Sequence, residues 1–83
     1  MPTKTVYEKA KERKRIADDI REQVGNAPCI SDVRRYLGVS GDMTTNFLRD
    51  IPSFQLCPGG KRLYLAIDIA AKIYTLQMSS GRY

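Results

Sequence analysis

With 83 residues the chain has material for one domain, whose core is too thin to enclose a large cofactor pocket. A hydrophobic fraction of 42% beside 28% charged residues excludes a disordered tail, and no apolar run reaches the roughly 20 residues that span a bilayer. The net charge of +5 favours a polyanionic partner.

The positive charge is uneven. Residues 1–24 hold seven basic and five acidic groups, residues 25–50 three of each, and residues 51–83 four basic and one acidic. Met1-Pro2-Thr3-Lys4 leads into charged sequence with no apolar signal core, so a cytoplasmic protein is expected. Cys29 and Cys57, without any histidine, cannot make a four-ligand zinc site and are expected as reduced thiols. Acid–base catalysis lacks its usual groups. Asp18 and Asp19 are adjacent and diverge on a helix, and Gly59-Gly60-Lys61 lacks the glycine spacing of a phosphate-binding loop. Neither enzymatic activity nor a cofactor is expected.

In chain order, residues 1–6 read as a frayed start. Tyr7 to Val24 contain no Gly or Pro, and Ile16, Ile20 and Val24 recur at i, i+4, i+8 with Ala10 and Ala17 beside them. That is an amphipathic helix, with Lys9, Lys11, Arg13, Lys14 and Arg15 clustered in its first half. Gly25-Asn26 and Pro28 stop it. A second, short helix is expected from Ser31 or Asp32 to Leu37, capped by Ser31, with Ile30, Val33 and Leu37 on one side and Gly38 at its end.

Val39-Ser40-Gly41-Asp42 predicts a tight turn. Ser40 or Asp42 then caps a third helix running to Arg49 or Asp50, with Met43, Phe47 and Leu48 inward and Thr44 or Thr45, Asn46 and Arg49 outward. Ile51-Pro52 closes it. Ser53–Cys57 and Arg62–Ile67 flank Pro58-Gly59-Gly60-Lys61 and predict a two-stranded hairpin with a basic tip. Asp68 caps a last helix to about Gln77, and residues 79–83 form a tail. The expected class is mainly α with a small β-hairpin, a single domain over residues 1–83.

Two short helices joined by Leu37-Gly38-Val39-Ser40 form a helix-turn-helix. Residues Ile30 to Ile67 resemble the winged helix-turn-helix superfamily. Ser31 to Ser40 is similar to its brace helix and turn, and Pro58 to Tyr64 to its wing. Ile67-Asp68 and the helix that follows resemble the excisionase and MerR-like branch. The resemblance implies about four helices plus a two-stranded wing, with the third helix reading base edges in the major groove. Carried over, Thr44, Thr45, Asn46 and Arg49 are the readers. Asn pairs with adenine, Arg with guanine, and a Thr methyl meets a thymine methyl. Gly60, Lys61 and Arg62 form the wing contact to phosphate or minor groove. Lys11, Lys14 and Arg15 of the first helix are further candidates for DNA contact.

The expected function is sequence-specific binding of double-stranded DNA, as a transcriptional regulator or an excisionase-like architectural factor. A homodimer, or a recombinase or transcription partner, would supply further contact area. No membrane and no small-molecule substrate are expected. Asp42 and Asp50 flank the third helix, and its near-neutral charge also suits the alternative, a protein–protein interaction module without direct DNA contact.

Overall fold

The computed structural model describes residues 6–79, and its regular structure is four helices: α1 (Val6–Val24), α2 (Ile30–Leu37), α3 (Gly41–Leu48) and α4 (Ala66–Ser79). The expected tails lie outside the described residues, apart from Val6 and Ser79, which are helical. α1 runs uninterrupted because nothing in it breaks the ladder. It ends where Gly25, at φ 95°, donates its N–H to the Arg21 carbonyl at 3.0 Å. Its Ala17 and Ile20 join Ile69 and Ala70 of α4 in one buried cluster, the most extensive helix pairing among the described residues. Alanines at the fully buried positions 17 and 70 keep this seam thin.

α2 starts earlier than Ser31, because its capping group is not a serine. The Asp32 carboxylate reaches back and accepts from the Cys29 backbone N–H at 3.3 Å and from the Cys29 thiol at 3.4 Å. That backbone N–H, first among its partners, holds the Asp32 carboxyl below its ordinary range. The early start leaves Ile30 42% exposed, and Val33 carries the buried contact instead. Tyr36 ties α2 to α1 by donating its hydroxyl to Asp19 at 2.5 Å. Burial, then the Asp19 carboxylate, pushes the Tyr36 phenol up to about 12.

Gly38 closes α2 at φ 69°, a left-handed conformation that a Cβ would strain, and its N–H donates to the Arg34 carbonyl at 2.8 Å. Arg34 is exposed and donates to the Val39 carbonyl at 3.4 Å. Ser40 caps α3 by accepting from the Met43 N–H at 3.2 Å. The inward face of α3 differs by one position from the expected one. Met43 is 60% exposed, whereas Thr44 is 0% exposed and packs near Leu48. Thr44 can be buried because its hydroxyl donates to the Ser40 carbonyl one turn back, at 2.8 Å, leaving its methyl for the core.

The expected two-stranded wing is not formed: no strand occurs among the described residues, only isolated bridges of Leu63 with Phe54 and with Cys29. The outgoing and returning limbs pair at a single point, where Phe54 and Leu63 exchange N–H···O bonds of 3.0 and 2.8 Å. Beyond it the returning limb bonds elsewhere. The Tyr64 N–H donates to the Pro28 carbonyl and the Ala66 N–H to the Asn26 carbonyl, each at 2.9 Å. On the opposite limb, Pro52 has no N–H to offer a ladder. α4 also begins at Ala66 rather than Asp68, as the Asp68 and Ile69 N–H groups both donate to the Leu65 carbonyl. The fold is therefore four helices with an irregular, clamped loop at 54–63.

Ile20→Ala should lower stability by about 2–5 kcal/mol, seen as a lower urea midpoint by circular dichroism. The raised Tyr36 pKa contributes stability that is fully present below the ordinary phenol value near 10. It is lost as pH rises through about 12. The urea midpoint of the parent chain should therefore fall more steeply over that alkaline window than that of Tyr36→Phe.

Candidate nucleic-acid interface

Burial of Thr44 and Leu48 fixes the rotation of α3 about its axis. Thr45, Asn46 and Arg49 consequently face outward and are exposed. Thr44, grouped with them as a reader, lies in the core with its hydroxyl bonded internally. Arg49 donates to the Asn46 side-chain carbonyl at 2.9 Å, so the two side chains hold each other one turn apart.

Thr45 and Arg49 form one wall of an open groove of about 280 Å³, whose other wall includes Ile30, Ser53 and Arg62. Arg62 is steadied there by donating to the Ser53 hydroxyl at 3.0 Å. It also borders a neighbouring cavity of about 340 Å³, shared with Lys61, Ser31 and Cys29 at the start of α2. Arg49, Arg62 and Lys61 thus line a continuous stretch of surface from α3 across the loop. No acidic residue occurs between Asp50 and Asp68 to offset them.

The acidic residues flanking α3 are disposed unequally. Asp50 pairs with Lys72 of α4 at 3.4 Å, and the same ammonium sits 5.5 Å from the centre of the Phe47 ring. The pair joins residues 22 positions apart, so nothing local in the sequence announces it. Asp42 is exposed in the first turn of α3, where a carboxylate complements the helix dipole.

Gly60 serves the loop itself. Its N–H donates to the Cys57 carbonyl at 3.0 Å, and its carbonyl accepts from the Gln55 side-chain amide at 2.6 Å. A Cβ there would stand 3.1 Å from both the Cys57 carbonyl oxygen and its Sγ. Both thiols are free.

The basic residues of α1 are not brought to this groove. Lys14 pairs with Asp18 at 3.0 Å, and Arg21 also reaches Asp18, at 2.8 Å. These contacts, that of Lys14 first, hold the Asp18 carboxyl below its ordinary range. Arg15 borders a separate groove between α1, α2 and α4, with Arg35, Tyr36 and Ile73, and Lys11 is exposed on the same helix. Ile30 and Ser31 at the start of α2, by contrast, enter the site without having been expected there. Among the described residues, no group of three His, Cys, Asp or Glu is placed to hold a metal, and no helix is long and apolar enough to cross a membrane.

The adjacent threonines should respond unequally to one substitution. Thr44→Ala should cost about 1–3 kcal/mol, and Thr45→Ala should stay within about 0.5 kcal/mol of the parent, both measured by urea denaturation.

No protein-family model matches the chain, and no curated protein or solved structure is significantly similar to it.

Proposed function

We propose that the chain binds double-stranded DNA sequence-specifically, as a transcriptional regulator or an excisionase-like architectural factor. The observation that carries this reading is the shared groove. Thr45 and Arg49 of an outward-facing helix stand across from Arg62 of a loop that has two basic residues and no acidic one. A major groove about 12 Å wide admits such a helix. Asn46 offers adenine one donor and one acceptor, Arg49 offers guanine two donors, and the Thr45 methyl suits thymine. Lys61 and Arg62 neutralise phosphates beside that helix and so set its register without carrying sequence information. The Lys72–Asp50 pair favours the arrangement by offsetting one of the two carboxylates an approaching phosphate would meet.

One module of this size buries little surface on a duplex. A second copy, or a recombinase or transcription protein bound at the same site, supplies the remaining affinity in this scheme.

Fluorescence anisotropy on mixed duplex DNA at stepped salt concentrations tests the proposal. The logarithm of the binding constant should fall linearly with the logarithm of salt, with a slope near −0.9 per phosphate engaged. Absence of binding even at low salt would leave the protein-interaction alternative in its place. Lys61→Ala combined with Arg62→Ala should weaken binding to every duplex and flatten the slope by about 2 units. Asn46→Ala should instead relax preference at one or two base positions, read by selection from random duplexes; a uniform loss over all sequences would contradict its role as a reader.

A further inference from the structure

The loop between Phe54 and Leu63 displays the most exposed large apolar side chain among the described residues, Leu56, at 82%. Full burial of a leucine is worth about 1.5–3 kcal/mol, so its display forgoes a stabilisation that matters in so small a domain. The loop is also braced in a way that keeps Leu56 outward. The Phe54–Leu63 pair closes its base. At the tip, the Gly60 N–H meets the Cys57 carbonyl at 3.0 Å around Pro58 and Gly59, and Gly59 takes the φ of 78° that such a corner requires. The Gln55 amide folds across the loop to the Gly60 carbonyl at 2.6 Å. Leu56 lies between this cross-brace and the corner, two residues beyond the clamp.

Charge completes the arrangement. Lys61 and Arg62 occupy the returning limb, and Arg62 also borders the α3 groove, so the loop emerges beside α3. A hydrogen-bonded loop with a protruding apolar residue and nearby cations has the composition of a minor-groove wedge. The cations engage phosphates, while the apolar side chain enters between two base pairs, unstacks them and kinks the duplex toward the major groove. We infer that Leu56 is such a wedge, bending the DNA next to the site read by α3. The inference rests on the DNA-binding reading proposed above. Unstacking costs a few kcal/mol per step, and least at pyrimidine–purine steps, so the kink falls at a TA or CA step flanking the sequence α3 reads.

The test uses the full chain and a duplex selected by it from random sequence, labelled at both ends with a fluorescence-transfer pair and carrying 2-aminopurine at the flanking step. Binding is followed separately by anisotropy. The parent chain should raise transfer efficiency and 2-aminopurine emission on binding. Leu56→Ala should bind the same duplex and lose both signals, and Leu56→Phe should restore them. At so exposed a position, neither variant should change the circular dichroism spectrum. Binding without bending, or undiminished bending by Leu56→Ala, overturns the wedge and leaves DNA binding standing. Failure of the parent chain to bind any duplex overturns both.

Discussion

Two backbone hydrogen bonds, from Tyr64 to the Pro28 carbonyl and from Ala66 to the Asn26 carbonyl, join the parts of this molecule that the helices alone would leave separate. They stitch the returning limb of the loop to the connection between α1 and α2. Around that seam, Pro28, Tyr64 and Ala66 are buried, so the bonds are shielded from competing water. One side of the seam leads into α4 and its packing against α1. The other leads to the loop that faces α3. The helical core and the candidate interface are thus aligned by a few residues of irregular chain.

Most of the helical framework was legible in the sequence, for local reasons. Gly25 and Gly38 supply left-handed stops, Ser40 caps α3, and a Gly- and Pro-free stretch with i, i+4 apolar spacing makes α1. What was not legible depends on tertiary partners. The segment 62–67 has strand-forming composition, but its Tyr64 and Ala66 N–H groups are claimed by the α1–α2 connection and its Leu65 carbonyl by the first turn of α4, so no ladder grows from Phe54 and Leu63. Propensity marked these residues as strand formers without revealing where their hydrogen bonds would go, and the last two of them, Ala66 and Ile67, are helical instead.

The same distinction applies to the candidate site. Thr45, Asn46, Arg49, Lys61 and Arg62 are candidates by residue type and position, and all are exposed. Thr44 misleads because a threonine looks polar in sequence and behaves as an apolar residue once its hydroxyl bonds the preceding turn. The charge flanking α3 is likewise altered by a tertiary partner. Asp50 stands as an isolated carboxylate in the sequence, whereas in the fold Lys72 of α4 lies beside it. At an exposed position such a pair is worth little in stability, and its effect is felt mainly in the field around the C-terminal end of α3.

The single clamp at Phe54 and Leu63 divides responsibilities along the chain. Residues on the body side of it are bound to the connector and the core, so changes there propagate into the fold. Residues 55–60 bond chiefly to one another, and the described hydrogen bonds cross from the tip to the body only through the limbs. The tip can accordingly vary in length and chemistry while the scaffold keeps its shape, because closing a slightly longer loop costs only a few tenths of a kcal/mol, roughly. A fold arranged in this way lets the surface that meets a partner diversify independently of the residues that keep the domain folded.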